Sequence, residues 1–317
     1  MPASARTCEA RAAAASPKPL RAVEHIRRMR GGAQSHLMRC SDGNYYVVKF
    51  QNNPQHPRVL VNELLATNLA ALLGLPTTPV AIIEVTEDLI WLTPDLCVER
   101  PQTRTPCKHG LQFGSRYPGD PHHQTLLDFL PDKQVLSARN LSDFVGMLVF
   151  DTWTCNTDGR QVIFGRHDIG TPYQAWMIDQ GFCFNGGEWN FPDKPRRNLY
   201  ARYVAYEQVQ GIESFEPWLA RLESEKVAHA LWAISKTIPP EWYEFDWESF
   251  HRLLEQLDSR RNRVRELLFW TKRCSPNSFP NWTTKTETEG DNNHASRKSN
   301  DAIFSHSDQL DDCSRHD

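Results

Sequence analysis

Residues 150–164, FDTWTCNTDGRQVIF, and residues 175–184, AWMIDQGFCF, are the two stretches around which the chain is organised. Asp158 follows a helix-like apolar pattern, and Asp179 ends a strand-like run just before Gln180 and Gly181. Phosphoryl transfer uses one carboxylate to orient the attacking hydroxyl and another to hold magnesium against the phosphates. Because Asp-Gly is a common turn dipeptide, either aspartate could also be structural. The pair therefore predicts a phosphoryl-transfer site only if the upstream chain supplies phosphate contacts.

Composition limits the alternatives. A chain of 317 residues, 39% hydrophobic and 10% aromatic, is large enough for one domain or two lobes with a substantial core. A net charge of −3 argues against nucleic-acid binding through bulk charge. The eight cysteines form no CxxC pair and are too sparse for a disulfide scaffold, so we expect a reducing, cytoplasmic location.

No targeting or spanning segment is predicted. Arg6, Glu9 and Arg11 interrupt the alanine-rich N-terminus before it reaches the length of a signal-peptide core. The sequence also lacks an apolar run of the length that a transmembrane helix needs, which is about 18 residues. We therefore expect no direct membrane association.

The upstream chain offers a glycine-bearing loop followed by a lysine-bearing strand. Residues 31–35 read GGAQS, and residues 40–44, CSDGN, are typical of a tight turn. Residues 45–50, YYVVKF, predict a strand with Lys49 near its end. A lysine inside an apolar strand is costly unless an anion meets it, and that anion could be a phosphate or a carboxylate.

A carboxylate candidate follows closely. Apolar residues recur with helical spacing between His56 and Leu73, and Gly74 begins a stop signal. Glu63 lies in the first turns of this helix. A helix glutamate that pairs with a strand lysine positions the phosphate-binding lysine in kinases. Glu63 could be a solvated helix residue, but its place after the strand of Lys49 favours the pairing.

The rest of the chain predicts a helical second half. We expect a strand over 78–85, no assignment over 86–110, and a strand over 111–117 that leads into a turn at 118–121. Helices are predicted over 124–130, 141–153, 215–236 and 247–271. Residues 1–19 and 275–317 lack an apolar period and are predicted to be disordered.

The chain resembles the HipA-like kinases, a branch of the protein-kinase-like superfamily, from about Leu20 to Lys272. Residues 32–36, GAQSH, resemble the family's phosphate-binding loop, residues 156–158, NTD, its catalytic loop, and residues 179–181, DQG, its metal-binding Asp-x-Gly. The combination is specific, whereas a glycine loop alone is a weak signal.

The resemblance implies an α+β, two-lobed protein-kinase-like fold, with a small β-rich N-lobe over 20–118 and a larger helical C-lobe over 119–274. The hinge between them would carry the adenine. The implied catalytic residues are Asp158 and Lys49. The implied nucleotide-binding residues are Gly31, Gly32, Ala33, Gln34, Ser35, Lys49, Glu63, Phe113 and Gly114, and the implied metal ligands are Asp179, Gln161 and Asn156.

One position departs from the family pattern. These kinases usually carry an asparagine five residues after the catalytic aspartate, where this chain has Ile163. If the loop is two residues shorter, Gln161 can take the place of that asparagine as a magnesium ligand. Arg160 either neutralises phosphate charge in place of the absent His-Arg-Asp triplet or is a surface residue.

The leading interpretation is thus a kinase that uses ATP and Mg²⁺ to phosphorylate a hydroxyl, with Ser/Thr of a protein favoured by the resemblance. A small-molecule acceptor stays open. A nucleotide-binding pseudokinase is the second interpretation, because of Ile163. The third, one half of a toxin–antitoxin pair with a small regulatory partner protein, rests on the resemblance alone.

Overall fold

A closed barrel of five strands forms the first part of the protein. The computed structural model describes residues 18–123, 126–166 and 168–283. The strands and helices of this part, in chain order, are β1 (Leu20–Arg28), β2 (His36–Cys40), β3 (Tyr45–Lys49), α1 (Val59–Leu72), β4 (Val80–Val85), α2 (Glu87–Leu92), β5 (Cys97–Arg100), β6 (Thr103–Pro106) and β7 (Gly110–Arg116). The barrel order is β1-β2-β3-β7-β4, and it closes through a parallel pairing of β1 with β4.

The strand predicted after the CSDGN turn is present as β3, and it pairs with β2 on the other side of the turn. The β2–β3 hairpin turns through Gly43, which has a φ of +81° and donates its amide N–H to the carbonyl oxygen of Cys40. The stretch without an assignment, residues 86–110, contains α2 and the separate hairpin of β5 and β6. The barrel is tightly packed between β7 and β4, since a Cβ built on Gly114 would lie 2.5 Å from Cγ1 of Ile83. Only glycine fits that position without a shift of its neighbour.

Helices dominate the second part. Its elements are α3 (Asp132–Leu136), α4 (Asp143–Thr154), β8 (Gln161–Gly165), β9 (Gln174–Ile178), α5 (Glu216–Leu222), α6 (Glu225–Ser235), α7 (Trp247–Arg260) and α8 (Val264–Cys274). β8 and β9 form a two-stranded antiparallel sheet in which Gln161 is opposite Ile178. This pairing joins the two stretches that the sequence singled out, because β8 follows Asp158 and β9 precedes Asp179.

Two groups of helix predictions need correction. The helix predicted over 124–130 is wrong for its described residues, because Leu127 exchanges backbone hydrogen bonds with Phe164 in an isolated β-bridge. The helices predicted over 215–236 and 247–271 are each interrupted. Ser224, with extended dihedral angles, separates α5 from α6, and a 3₁₀ turn at Arg261–Arg263 separates α7 from α8.

The predicted start of the tail at residue 275 is also wrong. Residues 276–278 form a 3₁₀ turn, and Phe279 and Trp282 are buried. Trp282 packs against the rings of Phe215, Phe269 and Phe279. Aromatic burial therefore continues to the end of the described residues. Residues 1–17 and 284–317 lie outside the part of the chain that the structure describes.

Helix α1 joins the two parts of the fold. The barrel has its own core, centred on Met38, Val48 and Ile83, while the apolar residues of α1 belong to the larger core of the helical part. Eleven of the helix's fourteen residues are buried, which is expected of a helix with neighbours on all sides. Anything fixed to α1 is thus held relative to both parts. Across the described ranges, the helices are all too short or too polar to cross a membrane.

Candidate active site

Lys49 lies between two carboxylates at the end of β3. Its Nζ is hydrogen-bonded to Oε1 of Glu63 and lies 2.8 Å from Oδ1 of Asp179. The side chains of Lys49 and Glu63 are 8% and 4% exposed, and that of Asp179 is 21% exposed. The anion that the strand lysine required is therefore a carboxylate in this structure, and Glu63 is not solvated. Lys49 and Asp179, which are 130 positions apart in the sequence, meet at this point.

Burial and charge act in opposite directions on these groups. Burial alone would lower the pKa of Lys49, but Glu63 and Asp179 hold it above its usual value. Burial favours the neutral form of Asp179, yet the neighbouring ammonium of Lys49 keeps the pKa of Asp179 below its usual value. For Glu63 burial prevails and raises the pKa, against the attraction of Lys49. The lysine is thus charged at neutral pH, and Asp179 is available as an anion.

The backbone at Asp179 turns sharply. Asp179 follows β9 with a φ of +57°, a left-handed conformation that is uncommon outside glycine. The next amide, of Gln180, donates to Oε2 of Glu63 at 3.1 Å. Glu63 therefore contacts both the lysine and the backbone beside Asp179. A strained conformation that persists with such support is typical of a functional site.

The loop that carries Asp158 begins where α4 ends. Cys155 caps α4 in the left-handed conformation, and Asn156 then bonds back to Asp151 through its backbone N–H and its Nδ2. Oδ1 of Asn156 accepts the amide N–H of Asp158 at 3.2 Å. Both ends of the Asn156 side chain are thus engaged in shaping the loop. These contacts do not favour the predicted role of Asn156 as a metal ligand.

Arg160 has neither of the roles predicted for it. It is buried and donates through Nε and Nη2 to both oxygens of Asp151, whose side chain is only 1% exposed. Its Nη1 donates to the carbonyl oxygen of Ile178 at 3.2 Å. The guanidinium therefore holds the Asp158 loop against the strand that ends at Asp179, and it is not positioned as a surface cation.

The structure brings Gln161 and Asp158 together. Nε2 of the exposed Gln161 side chain donates to Oδ2 of the half-buried Asp158 at 3.0 Å. Thr157 ties the same loop to the segment that follows Asp179, through bonds from its N–H and hydroxyl to the carbonyl oxygen of Phe182. Asp158 and Asp179 thus lie on segments joined by β8–β9 pairing, by Arg160 and by Thr157.

The oxygen donors at this site fit magnesium. Mg²⁺ prefers carboxylate, amide and phosphate oxygens and usually binds to one or two carboxylates with substrate phosphates. Asp179 supplies a carboxylate, and the amide oxygen of Gln161 is a further donor. In the described ranges, no group of three or more His, Cys, Asp or Glu residues is arranged to hold a metal by itself. A site that relies on substrate phosphates needs fewer protein ligands than such a cluster.

The glycine-bearing loop lies between β1 and β2. Gly31 has a φ of +114° and begins a tight turn that Gln34 closes with an N–H bond to the carbonyl oxygen of Gly31 at 3.2 Å. Gly31 and Gly32 are exposed, whereas Ala33 and Ser35 are buried. The exposed backbone of the two glycines is the part of the loop that a phosphate could approach.

The side chain of Gln34 faces away from such a role. Its Nε2 donates to the carbonyl oxygen of Glu99 at 2.7 Å, and its Oε1 accepts the N–H of Glu99 at 2.8 Å. Arg28 reinforces the contact by bonding to Gln34 and forming an ion pair with Glu99. The β5–β6 hairpin therefore anchors the glycine-bearing loop through Gln34. A direct nucleotide contact by this side chain would require it to leave Glu99.

The predicted adenine contacts at Phe113 and Gly114 conflict with the structure. Both residues lie in the middle of β7, which pairs with β3 on one side and β4 on the other. Their backbone groups lie inside the barrel ladder, so they cannot present a free edge to adenine. The connector that a hinge requires starts after β7 ends at Arg116.

Sequence reasoning missed three residues that shape the site. Asp151 receives Arg160 and Asn156, Asn62 contacts the segment after Asp179, and His56 lies 2.8 Å from the carbonyl oxygen of Gly181 through Nε2. A signal existed for Asn62 and for Asp151, because each is a polar residue inside an otherwise apolar helical run. His56 lies in a polar stretch without such contrast.

Part of the chain matches a known protein family. Residues 22–168 match the family model described as HipA-like kinase. This range includes Lys49, Glu63 and Asp158 and ends before Asp179. A search of curated proteins gave no match. The resemblance to HipA-like kinases is therefore confirmed over residues 22–168.

Solved structures support the same fold. The Helicobacter pylori proinflammatory kinase CtkA is 15% identical, with a TM-score of 0.52, and the match covers 78% of this chain and 95% of that one. The Golgi casein kinase with Mn/ADP bound is 12% identical, with a TM-score of 0.47 over 81% of this chain and 74% of that one. A Shewanella oneidensis complex of HipA, HipB and operator DNA is 12% identical, with a TM-score of 0.40 over 82% and 76%. The fold comparison rests on the first of these. Family and fold together support a kinase.

Proposed function

Because residues 22–168 match the HipA-like kinases, we propose that this protein is an ATP-dependent kinase that transfers the γ-phosphate to a hydroxyl group. The observation that carries the proposal is the buried contact of Lys49 with Glu63 and Asp179. Lysine and carboxylate groups converge here from a barrel strand, from α1 and from the end of β9. Phosphoryl transfer depends mainly on such positioning and charge.

The proposed architecture has two lobes, with ATP between them. The barrel and α1, over 20–118, form the N-lobe, and residues 119–274 with the packed segment that follows form the C-lobe. The connector after Arg116 serves as the hinge. The larger core supports this division only in part, because α1 contributes to it. On this proposal α1 transmits the position of each lobe to the other.

Each polar group then has a role. Lys49 binds the α- and β-phosphates under the loop of Gly31 and Gly32, and Glu63 orients the lysine. Asp179 and the amide oxygen of Gln161 would hold Mg²⁺, which when bound neutralises charge on the phosphates. Asp158 accepts a hydrogen bond from the acceptor hydroxyl and takes its proton as the hydroxyl oxygen attacks the γ-phosphorus. The bond between the γ-phosphorus and the β–γ bridging oxygen breaks in the same transfer, and ADP leaves.

A protein Ser/Thr acceptor is favoured by the family resemblance, and a small-molecule hydroxyl is the alternative. Incubation with γ-labelled ATP and Mg²⁺ tests both, with a mixed Ser/Thr peptide pool in one arm and aminoglycosides and sugars in the other. Label should move to peptides in the parent protein. Asp158→Asn should reduce transfer about 10²–10⁴-fold, as is usual when a positioned acid–base group is lost. Asp88→Asn, an exposed position on α2, is the matched control.

A nucleotide-binding pseudokinase is the second candidate, because of one specific observation. Ile163 lies inside β8, opposite Trp176. The side chain of isoleucine has no amide oxygen and therefore cannot take the place of the asparagine as a metal ligand. The same labelled-ATP assay separates the two functions when a thermal shift with ATP is measured beside it. Nucleotide-dependent stabilisation without loss of ATP or transfer of label, in any acceptor arm, would favour the pseudokinase and overturn the kinase.

A further inference from the structure

Asn62 is fully buried on α1, next to Glu63. Its Nδ2 lies 2.8 Å from the carbonyl oxygen of Gly181, 2.9 Å from that of Cys183 and 2.8 Å from that of Gly186. Its Oδ1 accepts the indole N–H of Trp189 at 2.8 Å. An amide group has two hydrogens and two lone pairs, so both hydrogens face the three carbonyl oxygens and one lone pair accepts the indole N–H, all within one segment.

The segment needs such a donor because of its shape. Phe184, Asn185 and Gly186 have φ values of 61°, 57° and 64°, which form a compact left-handed turn. The turn aims several carbonyl oxygens at one buried point, where water does not compete. Buried carbonyl groups without partners are costly. The indole N–H of Trp189 fixes which end of the Asn62 amide faces them.

Neighbouring residues of α1 hold opposite sides of the same backbone. Glu63 accepts the N–H of Gln180, and Asn62 donates to the carbonyl oxygen of Gly181. His56 also lies 2.8 Å from that carbonyl oxygen. The first and the third peptide group after Asp179 are therefore held from α1, close to a residue with a left-handed backbone conformation.

We infer that Asn62 is a positioning residue for the metal-binding carboxylate of Asp179. Through Asn62 and Glu63, the orientation of α1 sets the lysine contact and the backbone of the Asp-x-Gly segment together. Magnesium-dependent ATP binding then requires Asn62, although Asn62 touches neither ATP nor metal. This inference rests on the proposed kinase function.

The test compares ATP affinity with Mg²⁺ and with EDTA in the full-length chain, by calorimetric titration. Asn62→Ser keeps one donor and leaves room for a water, and Asn68→Ser is the matched control. Asn68 lies on the same helix, half-buried, and its Nδ2 donates to the carbonyl oxygen of Leu64 in its own helix. Trp189→Phe is a second variant, which keeps an aromatic ring but removes the donor that orients the Asn62 amide.

We expect Asn62→Ser to reduce the gain in ATP affinity from Mg²⁺ by about 10–100-fold, the usual effect of losing a group that orients a metal ligand. The affinity in EDTA should stay near that of the parent, because Lys49 remains. Trp189→Phe should also reduce the gain in ATP affinity from Mg²⁺, to a smaller degree, and leave the affinity in EDTA near that of the parent. Asn68→Ser should match the parent in both measurements. If Asn62→Ser does not fold, Trp189→Phe decides the question alone.

Two results would overturn the inference, and they differ. If Asn62→Ser or Trp189→Phe lowers thermal stability but keeps the full magnesium gain, Asn62 is merely structural and the proposed function stands. If the parent protein itself shows no magnesium gain in ATP affinity, the proposed function fails and the inference fails with it.

Discussion

Lys49→Met removes the cation that lies between Glu63 and Asp179. The Lys49 and Glu63 side chains are 8% and 4% exposed, so the change leaves a carboxylate buried without its partner. Breaking a buried pair in this way costs about 3–5 kcal/mol in the free energy of unfolding. At about 2–4 °C per kcal/mol for a domain of some 150–250 residues, Tm should fall by roughly 6–20 °C at neutral pH.

The pH dependence of this loss has a definite sign. Burial already raises the pKa of Glu63 in the folded protein, and removal of Lys49 takes away the attraction that opposes it. A carboxyl with a raised folded-state pKa contributes stability below its unfolded-state pKa and loses that contribution as the pH rises through the folded-state pKa. The Tm deficit of Lys49→Met should therefore be largest near neutral pH and shrink as the pH falls towards about 5.

Asp179 contributes in the opposite direction in the parent protein. Burial works against the charged form of Asp179, but Lys49 lowers its pKa overall, so its contribution is present above the unfolded-state pKa and lost as the pH falls through the folded-state value. In Lys49→Met the lysine is absent, so this loss of stability at acidic pH should be absent as well. The parent and the variant should thus converge in stability as the pH is lowered.

Scanning calorimetry at several pH values measures this effect, with Lys226→Met as the control. Lys226 is exposed on α6, so its replacement should leave Tm nearly unchanged. Turnover of Lys49→Met should be measured below its own Tm, so that loss of activity is not confused with unfolding. Equal melting of the two variants at every pH would refute the buried lysine–carboxylate contact.

Three further outcomes are expected. Asp179→Asn should weaken magnesium-dependent ATP binding, whereas Asp158→Asn should bind ATP with Mg²⁺ like the parent and lose turnover. Calorimetric titration beside a turnover assay measures both effects. The reverse pattern would exchange the roles of the two aspartates. Arg160→Met should reduce the free energy of unfolding by about 3–5 kcal/mol, because it leaves the buried carboxylate of its partner unpaired; denaturant titration measures the loss, and a change below about 1 kcal/mol would contradict the buried pair. Trp282→Ala should cost about 3–5 kcal/mol by the same titration, and Trp91→Ala, which alters a side chain 80% exposed, should cost far less; equal effects would show that the packed segment after α8 contributes nothing.

Local patterns in the sequence predicted most of the barrel and the elements that carry the site. These elements are the strand of Lys49, the glycine turn before it, the helix of Glu63 and the strand before Asp179. Each is indicated by the hydrophobic period, by turn residues or by a helix stop signal within about ten positions of it. The pairing of Lys49 with Glu63 was also predicted, because Glu63 is 14 residues further along the chain, in the first turns of the helix that follows the strand of Lys49. The same reasoning failed at Leu127, where a helix-like period was overridden by pairing with Phe164.

Tertiary structure alone decided how the polar groups are used. Gln34 is 65 residues from Glu99, Asn62 is 119 residues from Gly181, and Lys49 is 130 residues from Asp179. A sequence shows which side chains can donate or accept, and the family resemblance implied that Gln34 binds the nucleotide. It does not show which backbone groups a distant turn leaves unpaired. Buried carbonyl and carboxylate groups must find partners wherever the fold brings a donor near, and that requirement assigned Asn62 to the segment after Asp179 and Arg160 to Asp151.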